Sequence, residues 1–102
     1  MTSKEKLDSL HHVAVTVKNI QRAVDWYKEK FSCEVIYQDQ TWAFLQFENV
    51  KLALVVAEEH PSHVAFERED AEKFGALRSH RDGTQSIYIQ DSEGNPVEIL
   101  KK

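Results

Sequence analysis

A chain of 102 residues has room for one hydrophobic core and none for a separate cofactor domain. Thirteen Lys and Arg against seventeen Asp and Glu give a net charge of −4, the opposite of the basic footprint that nucleic-acid phosphates require. The apolar fraction of 41% is dispersed along the chain; its longest run, Leu52–Ala57, is far shorter than the roughly 20 residues that span a bilayer.

The polar opening MTSKEK carries no apolar export segment, and Cys33 is the single cysteine, so an internal disulfide is excluded and a reducing cytoplasm is expected. Residues 10–17 (LHHVAVTV) then alternate as a strand, with Val13, Val15 and Val17 on one face and His12, Ala14 and Thr16 on the other. Asn19 is placed to cap a helix whose Ile20, Val24, Tyr27 and Phe31 recur at helical spacing. Strands are predicted over 34–38, 42–47 and 51–56, with Glu48 and Asn49 turning between the last two.

The second half repeats this order in shortened form. A strand is predicted over 63–67, then a short helix capped by Asp70 with Ala71, Phe74 and Leu77 inward, a loop over 79–85, and strands over 86–90 and 96–100 around the turn DSEGN, where Gly94 takes a left-handed position. HVAV from His12 recurs as HVAF from His63 at a spacing of 51 residues, each followed seven residues on by its cap, Asn19 or Asp70. Such a repeat marks a duplicated supersecondary unit. The expectation is a single α+β domain over 1–102, made of βαβββ units at 10–57 and 62–100, the second shortened.

Strand parity places side chains. If the valines lie under the helix, His12 points to the opposite face, and by the same logic so does His63. A turn centred on Glu93 pairs Ile87 with Ile99 and Ile89 with Val97, leaving Tyr88 opposite Glu98 on the histidine face. A glutamate between Val97 and Ile99 costs several kcal/mol if it is buried as an unpaired charge. Two imidazoles and that carboxylate around a divalent cation remove the cost, and this donor set serves Fe, Mn, Zn or Ni with coordination positions left open. The same types also occur as isolated structural residues, in which case the face is a solvated cavity.

LHHVAVTVKN with AVDWYKEKF, and above all SIYIQDSEGNPVEIL, resemble the opening strand and helix and the closing hairpin of the vicinal-oxygen-chelate superfamily, which includes glyoxalase I, extradiol dioxygenases, methylmalonyl-CoA epimerase and bleomycin-resistance proteins. The resemblance spans 10–100 and implies paired modules forming a curved mixed sheet around a cleft, helices outside. It implies His12, His63 and Glu98 as metal ligands. Glu98 and Tyr88 are the candidate catalytic residues, with Tyr88 or a water moving protons beside the bound cation. The glutamate that glyoxalase I adds as a fourth ligand is replaced by Ala53, which argues against glyoxalase chemistry. His80 stands eight residues before Tyr88, as in the extradiol motif, but Ser92 replaces its proline and Arg78 fits poorly, so His80 is read as a loop residue. His11, expected on the helix side, and His60, before Pro61, are given no role.

The functional expectation is a metal-dependent lyase-, isomerase-, thiol-transferase- or dioxygenase-type enzyme acting on a small oxygen-bearing substrate. Thr16, Trp42, Phe44, Gln46, Lys51 and Gln90 are the candidate cleft lining. The competing reading is a metal-free binding protein whose Trp42, Phe44 and Tyr88 hold a planar ligand; a weaker one is a partner-binding module, with Trp26 the ambiguous aromatic. No nucleic acid or membrane is expected as a partner, and the small sheets imply a homodimer, with a module swap between chains as one arrangement.

Overall fold

The structure, a computed structural model, describes residues 7–80 and 82–102; the opening MTSKEK and position 81 of the predicted loop lie outside them. Strand β1 (Ser9–Thr16) leads into helix α1 (Ile20–Lys30), followed by β2 (Glu34–Gln38), β3 (Trp42–Gln46) and β4 (Lys51–Val55). The second unit runs β5 (His63–Arg68), a 3-10 turn at Ala71–Phe74, β6 (Arg78–Ser79), β7 (Gln85–Gln90) and β8 (Pro96–Lys101). All eight strands form one mixed sheet ordered β2-β3-β4-β1-β5-β8-β7-β6. The two units meet where β1 pairs antiparallel to β5, and each opening strand pairs parallel to the closing strand of its own unit, β1 to β4 and β5 to β8.

The helix begins where Asn19, in extended backbone, accepts a hydrogen bond at its side-chain oxygen from the Arg22 amide at 2.9 Å. Ile20 and Val24 bury its inner face, and Lys28 and Lys30 stand in its last turn, where the helix dipole favours cations. Beneath it Ala43, Leu45 and Leu54 complete a core, with Val15, Val17 and Tyr27 packed against it. Phe31, expected to continue the inward stripe, is instead 53% exposed. The chain turns to extended backbone at that residue, so the helical spacing no longer aims its ring.

The second unit has no comparable helix. Asp70 does not cap; its carboxylate accepts from Arg68 Nε at 2.7 Å and Nη2 at 3.0 Å, a two-point charge-assisted pair stronger than a neutral cap. Of the residues predicted to face inward, Ala71 is buried and Leu77 half-buried, while Phe74 is exposed and lies under the Arg68 guanidinium, 5.4 Å from its centroid. The turn ends at Gly75 with φ of +147°, where a Cβ would meet Ile87 Cδ1 at 2.2 Å. Only glycine allows the backbone that close to β7.

The closing hairpin has the predicted register: Ile87 opposite Ile99, Tyr88 opposite Glu98, Ile89 opposite Val97. Asp91 Oδ1 accepts from the amides of Glu93 and Asn95, and Gly94 takes φ of +84°. The predicted loop over 79–85 has a strand residue at each end, Ser79 of β6 paired with Gln85 of β7, and its backbone is closed by the His80 amide donating to Thr84 at 2.8 Å. Among the described residues no helix is long and apolar enough to cross a membrane.

Candidate metal centre

The sheet curves around a cleft of about 310 Å³ on the face opposite α1. His12 and Ala14 on β1, Ala53 on β4, and His63 and Ala65 on β5 are buried on that face, as is Glu98 on β8. Small alanines beside large polar groups leave space above the strands, and Trp42 and Phe44 of β3 wall one side with rings 5.1 Å apart.

Three ligand-type atoms converge in the middle. His12 Nε2 lies 3.2 Å from His63 Nε2, and Glu98 Oε1 lies 3.3 Å from the first and 3.2 Å from the second. All three residues are less than a tenth exposed. The parity argument thus holds for each, and the three meet within one chain, so no exchange of units between chains is needed to assemble them. Separations near 3.2 Å are those taken by three donors that share one divalent ion at about 2.1 Å. His12, His63 and Glu98 can therefore hold a metal ion.

Hydrogen bonds fix which atoms face the centre. His63 Nδ1 lies 2.7 Å from the Pro61 carbonyl, which can only accept, so the proton of the neutral ring sits on Nδ1 and Nε2 turns its lone pair inward. His12 Nδ1 is held at 2.8 Å by His11 Nδ1. Glu98 Oε2 accepts from the Ser86 hydroxyl at 2.7 Å. Burial alone would raise the Glu98 carboxyl, but hydrogen bonds at Oε1 from whichever of His12 Nε2 and His63 Nε2 carries a proton when no cation is bound, together with the Ser86 hydroxyl at Oε2, outweigh it and hold the group well below the usual carboxylate range. Burial and the Glu98 charge push the Tyr88 phenol upward, so it stays protonated; its hydroxyl lies 3.3 Å from His63 Nε2.

All five histidines line this cleft. That corrects the expectation for His11 and His60. A β-bulge between Leu10 and His12 interrupts strict alternation, so two successive imidazoles reach the same side. Burial lowers both His11 and His60, aided by His12 in the first case and His63 in the second. His80 is a loop residue as expected, yet its Nε2 lies 2.6 Å from Ser86 Oγ. Trp42 and Phe44 line the cleft; Thr16, Gln46, Lys51 and Gln90 are not among its described lining residues. Ser86, 1% exposed, was not singled out from the sequence, although it shares the parity of Tyr88 two residues on.

The absent fourth ligand is also explained by register. Ala14 pairs with Ala53 in the first unit and Ala65 with Glu98 in the second. The 51-residue repeat carries Ala14 onto Ala65, so Ala53 occupies the position that Glu98 fills in the other unit.

Duplicated βαβββ units forming one sheet around a cleft with a His-His-Glu centre define a class of proteins, and comparison with known families agrees. The family model of the Glyoxalase/Bleomycin resistance protein/Dioxygenase superfamily matches residues 9–77, and the chain belongs to that superfamily. A solved structure of a hypothetical protein from Bacillus halodurans C-125 is similar in fold, at 14% identity and a TM-score of 0.75 over 95% of this chain and 96% of the other. A superfamily member from Vibrio splendidus 12B01 gives 14% identity and 0.70 over 92% and 98%. The methylmalonyl-CoA epimerase of Streptomyces coelicolor, solved with 2-nitronate-propionyl-CoA, gives 15% identity and 0.72 over 93% and 94%.

Proposed function

We propose that this protein is a metal-dependent enzyme that binds a small substrate through two adjacent oxygens at the His12–His63–Glu98 centre, with Tyr88 as the residue that supplies a proton. The carrying observation is the triangle of His12 Nε2, His63 Nε2 and Glu98 Oε1, with sides of 3.2–3.3 Å. Three lone-pair donors that close repel one another unless a proton or a cation sits among them, and the anchored Nδ1 of His63 directs that ring's lone pair toward the same point. A divalent cation held there would supply Lewis-acid stabilisation of charge developing on a substrate oxygen. Fe, Mn, Zn and Ni all suit the donor set.

The chain's own residues then divide the remaining work. Tyr88, protonated and beside His63, donates its O–H to a substrate oxygen at the centre. Trp42 and Phe44 provide a flat apolar wall on which a planar substrate stacks, and they exclude water from that side. With Ala53 in place of a second carboxylate, three protein ligands leave more positions for substrate than four would. This favours chemistry in which both substrate oxygens are held, as in isomerisation, epimerisation, thiol addition or oxygenation.

The test is elemental analysis of protein purified without chelator, repeated on His12→Ala and Glu98→Gln. One ion per chain, lost in both variants, supports the proposal. No bound metal, with no gain in thermal stability on adding Fe(II), Mn(II), Ni(II) or Zn(II), would replace it with metal-free binding of a planar ligand on Trp42 and Phe44.

A further inference from the structure

Glu98 has two oxygens, and the structure treats them differently. Oε1 faces the imidazoles, whereas Oε2 is turned toward β7, where Ser86 Oγ lies 2.7 Å away. We propose that Ser86, itself held by His80, is a positioning residue that reserves Oε2 and so presents the metal site with a single carboxylate oxygen. The inference rests on the metal reading above and concerns how the ligand is aimed.

Proton counting fixes the direction of the chain. An ionised carboxylate only accepts, so the one hydroxyl proton of Ser86 goes to Oε2. Ser86 Oγ then has only lone pairs for His80, 2.6 Å away, so His80 Nε2 must carry a proton and donate it. His80 is too far from Oε2, at 3.7 Å, to bond it directly and acts through the hydroxyl. The two imidazoles therefore face the cleft in opposite tautomers: His63 turns a lone pair inward at Nε2, and His80 an N–H at the same atom.

Ser86 is 1% exposed and hydrogen-bonded on both sides, while His80, on the loop after β6, has a side chain 30% exposed. The carboxylate is thus clamped from a buried point that is tied to the cleft rim. Without the clamp, Glu98 is free to turn about its last bond and offer both oxygens, occupying a position that substrate would otherwise take. Partners that orient metal ligands are typically worth roughly 10- to 100-fold in metal affinity.

The test titrates Co(II) into the metal-free protein, read by calorimetry and by the visible absorption of the bound ion, for the unaltered chain, Ser86→Ala, His80→Leu, His80→Gln and Glu98→Gln. Gln keeps an N–H donor near the position of His Nε2, and His80 is exposed enough for its variants to fold. The expected result is a roughly 10- to 100-fold loss of affinity, with a weaker visible band from a higher coordination number, in Ser86→Ala. A smaller change of the same sign is expected in His80→Leu, with the original spectrum restored in His80→Gln. Identical isotherms and spectra for Ser86→Ala and the unaltered chain, with binding lost in Glu98→Gln, would overturn the clamp and leave the metal reading intact. Failure of the unaltered chain to bind Co(II) would overturn both.

Discussion

The two units follow one strand plan, yet the first holds most of the core and the second most of the chemistry. Ile20, Val24, Ala43, Leu45 and Leu54, the main buried cluster, all come from the first unit beneath its eleven-residue helix. The second has a single 3-10 turn as cover, but contributes His63, His80, Tyr88 and Glu98 to the cleft, with Ser86 buried behind Glu98, where the first contributes His12 as its one candidate ligand among the described residues. At the matched positions Ala53 and Glu98 the divergence is a single side chain. A duplicated fold can thus keep one copy as scaffold while the other bears buried polar groups that would be costly in a core lacking such support.

That division predicts different failures in the two halves. The largest effect belongs to Glu98→Gln, which removes the only carboxylate of the triangle; metal content by elemental analysis falls from one per chain to none while the circular dichroism spectrum is retained. Tyr88→Phe comes next: under the proposed function, turnover of a substrate held through two adjacent oxygens falls roughly 10²–10⁴-fold with bound metal unchanged. A Tyr88→Phe variant that lost metal instead would blur the separation of roles within the second unit.

In the scaffold half, Leu54→Ala empties a fully buried site and should cost roughly 2–5 kcal/mol in urea unfolding, with metal stoichiometry unaltered in the folded fraction. Gly75→Ala, forced into a left-handed backbone against Ile87, should cost about 1–3 kcal/mol. Phe74→Ala, an exposed ring under Arg68, should cost less than about 1 kcal/mol. A Phe74 effect as large as that of Leu54 would show that the second unit has a core of its own.

Acid sharpens the contrast further. The folded Glu98 carboxyl lies below its ordinary value of 4.5, so the unfolded chain takes up the proton first. Its contribution to stability is complete well above 4.5 and is lost as pH falls from there through the folded value. Metal-free protein unfolded in urea across that interval should show a shallower pH slope in Glu98→Gln than in the unaltered chain.

Strand parity and the 51-residue repeat were enough to bring His12, His63, Tyr88 and Glu98 to one face, because alternation is a property of the backbone that neighbours seldom override. The same rule misplaced His11, since a bulge is a local change of register that no residue type in LHHV announces. Phe74 and Asp70 depart from expectation for another reason: helical spacing presumes a helix, whereas the intended cap pairs with Arg68 and only a 3-10 turn follows it. His60 carried no periodic signal, and Ser86, although in phase with Tyr88, had nothing in the sequence to mark its partner; their places come from loops and strands of distant parts of the chain meeting at the cleft.

What the sequence determined by itself was what a short period or an internal repeat fixes: every strand except the two-residue β6, the helix and its Asn19 cap, the register of the closing hairpin, the duplication, and the face each ligand occupies. What only the tertiary structure decided was distance and direction: that three donor atoms stand 3.2–3.3 Å apart, that Pro61 faces Nδ1 of His63 while Ser86 faces Nε2 of His80, and that Ser86 donates to one oxygen of Glu98. The physical reason is that periodicity fixes orientation within an element, while hydrogen bonds, which act over less than an ångström of tolerance, depend on how elements from opposite ends of the chain curve toward one another.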